Sequence, residues 1–202
     1  ILLNTEATKE ILEKENYDAI IIAVGAKPLV PKNVPGIDKP HVHWAPDAEM
    51  GKVPVGQKLV VVGGGAVGLE AALDFKHMGK DVVVIEMLDK EAHRGAIHRS
   101  ARNAGLELIS LMEQNDIPLH FNTRLEEVLD DRIICKDLGT GEKVEFACDN
   151  VLLAIGLEPL TDVVESLRHC APETDVFIVG DALAVGNIHS ATNGGFQAGL
   201  HI

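Results

Sequence analysis

The run Lys58-Leu59-Val60-Val61-Val62 leads without a spacer into Gly63-Gly64-Gly65-Ala66-Val67-Gly68, and apolar residues at helical spacing follow from Leu69 to His77. A strand, a glycine-rich turn and a helix in immediate succession leave few folds open, because the turn must reverse the chain and lay the helix back on the strand. In this G-x-G-x-x-G pattern Gly63 permits the tight turn, Gly65 lets a diphosphate approach the backbone, and Gly68 allows close packing of helix on strand. Gly64, Ala66 and Val67 complete the loop. The free N–H groups and positive dipole end of the helix then attract phosphate. A tight strand-to-helix turn with no ligand is the simpler alternative, so the surrounding residues must decide.

A second strand, Asp81-Val82-Val83-Val84-Ile85-Glu86, ends eighteen residues after Gly68 on an acid. An acid at this distance can accept hydrogen bonds from the hydroxyls of an adenosine ribose, and it repels the extra phosphate of NADP. Met87 and Leu88 offer no replacing cation, although Lys90 and Arg94 stand near. NAD(H) is therefore favoured, with a solvated strand-end acid as the alternative. The chain carries 18 Lys and Arg against 31 Asp and Glu, a net charge of −13. That field repels nucleic acid and leaves the glycine turn and helix start as the phosphate site.

Beyond Glu86 a helical pattern runs from about Ile97 to Asn115, interrupted by Gly105, and Ile117 to Phe121 reads as a strand. Three short strand-like runs follow, Leu125 to Leu129, Arg132 to Lys136 and Lys143 to Cys148, joined by turn formers as in an antiparallel meander. A buried strand, Val151 to Ile155, closes the region. The predicted fold is three-layer α/β: a Rossmann-type parallel sheet with an antiparallel β-meander, over about Gly56 to Ile155. Upstream lie a helix from Thr8 to Glu15 and an apolar strand from Asp18 to Val24, expected to be covered on both faces. The proline-rich path through Pro28, Pro31, Pro35, Pro40, Pro46 and Pro54 reads as an inter-domain connection anchored by Trp44. Downstream, the strand Val176 to Val179 leads through Gly180-Asp181 to a helix starting near Ser190.

Composition, 46% hydrophobic and 24% charged, is that of a globular chain, and no apolar stretch is long enough for a membrane span. The three cysteines, Cys135, Cys148 and Cys170, form no C-x-x-C pair, which gives no disulfide framework or metal cradle and suits a cytoplasmic protein. His41 and His43 have no ligand partners at metal spacing and read as loop residues. Arg94, His98 and Arg99 read as an exposed helix start.

Two segments repeat one pattern: Ile20-Ile21-Ile22-Ala23-Val24-Gly25-Ala26-Lys27-Pro28 and Val151-Leu152-Leu153-Ala154-Ile155-Gly156-Leu157-Glu158-Pro159. With the glycine turn between them and Val179-Gly180-Asp181 after them, the chain resembles the two-dinucleotide-binding flavoproteins, which include the pyridine nucleotide-disulfide oxidoreductases. That resemblance implies an NAD(H) domain inserted within an FAD domain: residues 1–55 and 156–202 would be incomplete flanking pieces of the FAD domain, and 56–155 the NAD(H) domain. It places Gly156 and Glu70 on the nicotinamide side, Glu70 being otherwise a simple helix-face acid. It places Gly25, Gly180, Asp181 and Asn193 against FAD.

The closing Ala191-Thr192-Asn193-Gly194-Gly195-Phe196-Gln197-Ala198-Gly199 and the lack of a redox cysteine pair most resemble NADH:flavin oxidoreductases of the 2,4-dienoyl-CoA reductase and 2-enoate reductase type. The expected activity is hydride passage from NADH to flavin, with no catalytic acid–base pair and no metal ligand in this chain. In such proteins the first G-x-G-x-x-G, an FMN-binding barrel and an iron-sulfur cluster would precede Ile1. Both chain ends are thus expected to be cuts, the N-terminal half of the same polypeptide a partner, the isolated chain without turnover, and a homodimer open. The alternatives are a disulfide-reductase-type flavoprotein and a non-catalytic NAD-sensing domain.

Overall fold

A computed structural model describes residues 1–15, 17–170 and 174–202. Along the chain the elements are α1 (Lys9–Glu15), β1 (Ala19–Ile22), β2 (Ala26–Pro28), β3 (Val42–Trp44), α2 (Ala45–Glu49), β4 (Lys58–Val62), α3 (Ala66–His77), β5 (Asp81–Ile85) and α4 (Lys90–Gln114). They continue with β6 (Leu119–His120), β7 (Thr123–Val128), β8 (Arg132–Asp137), β9 (Lys143–Ala147), β10 (Asn150–Leu153), β11 (Leu157–Pro159), α5 (Thr161–Arg168), β12 (Asp175–Ile178) and α6 (Ile188–Leu200). The chain divides into two compact units, Val30–Ile155 and the pair of segments Ile1–Leu29 and Gly156–Ile202.

In the unit formed by Val30–Ile155, a five-stranded sheet runs in the order β3-β10-β4-β5-β6 with every pairing parallel. Successive side chains of a strand point to opposite faces, and the β4 sequence uses both. Leu59 and Val61 join Phe75 and Leu69 of α3 and Met112 of α4 in one core; Val60 and Val62 join Leu125, Val128 and Ile133 in another. The antiparallel meander β7-β8-β9 supplies that second covering. Helices, parallel sheet and meander make three layers, the α/β architecture expected from the sequence.

The proline-rich path is not a free connection. Residues from Val30 onward belong to the same unit as the sheet, so the division falls between Leu29 and Val30 and not at residue 55. Val34 and Ile37 pack into the meander-side core, the Pro35 carbonyl accepts the Val128 N–H at 2.9 Å, and Lys39 pairs with Asp130. Val42–Trp44, read from sequence as loop plus anchor, is the edge strand β3, where a proline-rich neighbourhood is tolerated because one side needs no partner. Helix α4 starts seven residues before the predicted Ile97, capped by the Asp89 carboxylate, which accepts the Glu91 and Ala92 N–H groups. Its first turns are polar, so hydrophobic spacing does not reveal them. Gly105 does not interrupt it; a Cβ there would meet the Ile97 carbonyl at 2.9 Å, and glycine is what fits.

The other unit contains a two-stranded parallel sheet, β1 with β12, in register Ala19↔Asp175 to Ile22↔Ile178. Leu12 of α1 and Val164 and Leu167 of α5 cover one face with Ile20 and Ile22. Ile21 on the opposite face is 44% exposed, so β1 is covered on one face and not two. The repeated segments meet here: β2 and β11, each directly after its glycine, form an antiparallel ribbon in register Leu157↔Pro28 and Pro159↔Ala26. Both glycines take positive φ, +79° at Gly25 and +109° at Gly156. The Gly156 carbonyl accepts the Leu29 N–H and the Gly25 carbonyl accepts the Leu160 N–H.

Candidate dinucleotide-binding site

The end of β4 turns into α3 through Gly63, whose φ of +109° only glycine adopts readily. Its N–H donates to the Ile85 carbonyl at 2.9 Å, tying the turn to β5. A side chain on Gly68 would collide with the Gly63 carbonyl, so the first turn of α3 lies directly against the loop. Gly65 is the N-cap, extended at φ −67°, and a Cβ built on it meets nothing within 4 Å. There the backbone is open to solvent next to N–H groups of Ala66 and Val67 that have no acceptor within the helix. That combination suits an anionic ligand at close range.

Glu86 lies at the end of β5 and is only 9% exposed. Its Oε2 accepts the Gly64 N–H and its Oε1 accepts the Leu88 N–H, each at 2.8 Å. The carboxylate is thus fixed beside the glycine turn and not solvated at a strand end, and each oxygen keeps acceptor capacity for a further donor. His93, for which the sequence pattern gives no signal, completes the cluster. It is 2% exposed, its Nε2 is 2.6 Å from the Gly64 carbonyl oxygen, and its ring lies 5.1 Å from that of Phe121. Arg94, His98 and Arg99 are exposed. A histidine four residues after an N-cap Asp would place the ring back over the strand ends, but that cap lies in a polar stretch and was itself not read.

Glu70 is exposed on α3. With Asp74 and burial, it raises the Glu49 carboxyl above its ordinary value, burial being the largest cause. Gly25, Gly180 and Asp181 line one open groove of about 700 Å³ with Asn187 and Ala191. Asp181 Oδ1 holds the Gly186 N–H at 3.0 Å, and α6 begins with a reciprocal cap between Asn187 and Ser190. Asn193 is exposed on α6, and Gly156 sits on the ribbon with Gly25. The structure therefore gathers the predicted residues into two sets, Gly63 to Gly68 with Glu86 and Gly25 with Gly180 and Asp181. The three thiols are buried, and burial pushes Cys135 up to about 12 and Cys148 up to about 11, so neither is a ready nucleophile.

The pyridine nucleotide-disulphide oxidoreductase family model matches residues 2–198. Cinnamate reductase of Clostridium sporogenes is 29% identical over all of this chain, and an NADH oxidase of Thermoanaerobacter brockii is 29% identical over 97% of it. The chain spans 29% and 30% of those proteins, under a third of their length. Among solved structures, a 2-naphthoyl-CoA reductase complex superposes with a TM-score of 0.80 at 29% identity, over 99% of this chain and 29% of that one. The thioredoxin reductase of T. acidophilum, 21% identical with a TM-score of 0.66 over 90% of this chain and 64% of that one, shares the fold. A glycine turn fixed by a buried acid, a parallel sheet with a meander on its far face and a match over nearly every residue converge: the chain belongs to the pyridine nucleotide-disulphide oxidoreductase family.

Proposed function

We propose that this chain is the NADH-binding portion of an FAD-dependent oxidoreductase. The observation that carries the reading is the pairing of open backbone at Gly65 with the fixed carboxylate of Glu86. The N–H groups of Gly65, Ala66 and Val67 would hold the diphosphate at the start of α3, with Gly63 and Gly68 shaping the turn. Glu86 would accept the ribose hydroxyls and repel a 2′-phosphate, which selects NADH over NADPH. Gly156 and Glu70 are assigned to the nicotinamide side. When bound, the nicotinamide supplies a hydride to flavin, so the residues here need only bind and orient.

Gly25, Gly180, Asp181 and Asn193 are assigned to FAD. The groove lined by Gly25, Gly180 and Asp181 would take part of that cofactor and not all of it, since the chain has one G-x-G-x-x-G and it belongs to the other site. FAD binding by these 202 residues alone is accordingly weak or absent, and turnover with it. The names of two relatives, cinnamate reductase and 2-naphthoyl-CoA reductase, support a parent acting on activated carbon–carbon double bonds. FMN and an iron-sulfur cluster in a further part of the parent belong to the same proposal and rest on the sequence resemblance alone. Large apolar side chains exposed in the unit that holds this groove, Ile21, Leu183 and Phe196, support burial against that remainder or a second copy.

Isothermal titration of the chain with NADH and NADPH tests the reading. Saturable NADH binding at least about tenfold tighter than NADPH is expected, since a buried carboxylate facing a phosphate costs about 1.4 kcal/mol or more. Equal affinities would remove the role given to Glu86. Stoichiometric flavin surviving gel filtration would overturn the half-site assignment.

A further inference from the structure

Gly64, one of the three positions that G-x-G-x-x-G leaves unspecified, is held through both of its backbone groups. The Gly64 N–H is taken by Glu86 and its carbonyl by His93, and a Cβ on Gly64 would lie 3.0 Å from His93 Nε2 and 3.2 Å from Glu86 Oε2. A carbonyl oxygen only accepts, so Nε2 carries the hydrogen of this bond. Nδ1 is buried without a partner among the described residues, so packing and the single bond to Gly64 orient the ring. A peptide unit is planar and trans, and its C=O and N–H point in opposite directions. Drawing the Gly64 carbonyl toward a ring that is 2% exposed therefore turns the Gly65 N–H away from the interior, on the open side of the turn.

We infer that His93 is a positioning residue of the dinucleotide site, holding the Gly64–Gly65 peptide in the orientation that offers its N–H, and not its carbonyl, to the diphosphate. The inference rests on the NADH reading above. Without the imidazole donor the Gly64 carbonyl is buried and unpaired, which favours rotation of the peptide to expose it. The rotated peptide presents an oxygen where an anion must bind. Adenosine, which has no phosphate, does not sense the change.

The test compares the full chain with His93→Phe, which keeps the ring volume, and His93→Gln, whose amide restores a donor near Nε2. NADH and adenosine are titrated by NMR, and amide exchange at Gly65, the N–H of the peptide in question, is followed without ligand. The expected result is about tenfold weaker NADH binding in His93→Phe, unchanged adenosine binding, recovery to within about threefold in His93→Gln, and about tenfold slower Gly65 exchange in His93→Phe alone, because the rotated peptide turns that N–H inward. Equal losses for NADH and adenosine would make His93 a packing residue and overturn the inference. So would unchanged NADH binding with a lowered melting temperature. If the unsubstituted chain binds no NADH, the dinucleotide reading fails and takes the ligand role of His93 with it. The exchange rates then still report whether His93 holds the peptide.

Discussion

Gly68 lies so close to Gly63 that no methyl group fits between its Cα and the Gly63 carbonyl oxygen, whereas Gly65, three residues earlier, faces open space. The two glycines of one motif therefore serve different ends. Gly68→Ala pushes α3 off the turn and costs about 3 kcal/mol, in the range of overpacked cores. Gly65→Ala leaves stability within about 1 kcal/mol, since its φ of −67° suits any residue. Its methyl group occupies the side from which a diphosphate would approach. Thermal melts and NADH titrations should separate them: Gly68→Ala lowers the melting temperature, while Gly65→Ala lowers affinity alone. Equal melting temperatures for the two variants would contradict the packing described here.

Glu86 connects stability to the site. Glu86→Ala leaves the buried Gly64 N–H without an acceptor and should cost about 2 kcal/mol, or about 4 to 8 °C in melting temperature for a chain of this size. Glu86→Gln keeps one acceptor oxygen but removes the charge. It should lose less stability and bring the NADH and NADPH affinities together. Circular dichroism melts with paired titrations would decide, and an unchanged NADH preference in Glu86→Gln would refute the electrostatic account.

The ribbon between β2 and β11 makes a prediction of its own. Gly25 and Gly156 both have positive φ, and a Cβ on either meets nothing within 4 Å, so the cost of alanine there is backbone strain without collision. Each substitution should cost about 1 to 2 kcal/mol, and the two should fall short of additivity because they load the same ribbon. A double variant melting at the temperature given by simple addition would show that the ribbon does not couple the two positions.

The order of elements around the glycine turn was legible because each local preference there agrees with the fold. Val60 and Val62 alternate with Leu59 and Val61 across a sheet covered on both faces, and β4 and β5 match their predicted spans to within a residue. What was not legible depends on distant partners. Val42–Trp44 is strand only because β10 lies beside it, and Val34 is core only because the meander is there to receive it. The repeat of Ala-x-Gly was visible, but that the residues just after its two glycines pair with each other is a matter of register in space. His93 was missed for the same reason: nothing in its neighbours along the chain marks a buried ring. Its meaning comes from Gly64, 29 residues away.

Asp149 gives the fold a dependence on acid. Its Oδ2 accepts the Gln57 and Lys58 N–H groups at 2.7 and 2.8 Å, pinning the start of β4 to the turn before β10. Those two backbone donors, that of Lys58 first, hold its carboxyl below the ordinary 3.8. A depressed carboxyl stabilises the fold in its charged form, so the contribution is complete above the ordinary value and disappears as pH falls through the lower, folded one. Asp149→Asn keeps an oxygen at the same place without the charge. Melting temperatures of both forms from about pH 6 to about pH 3 should show the unsubstituted chain ahead at the upper end, with the gap closing below 3.8. A gap that stays constant over that range would assign the stabilisation to geometry alone and not to the carboxylate's charge.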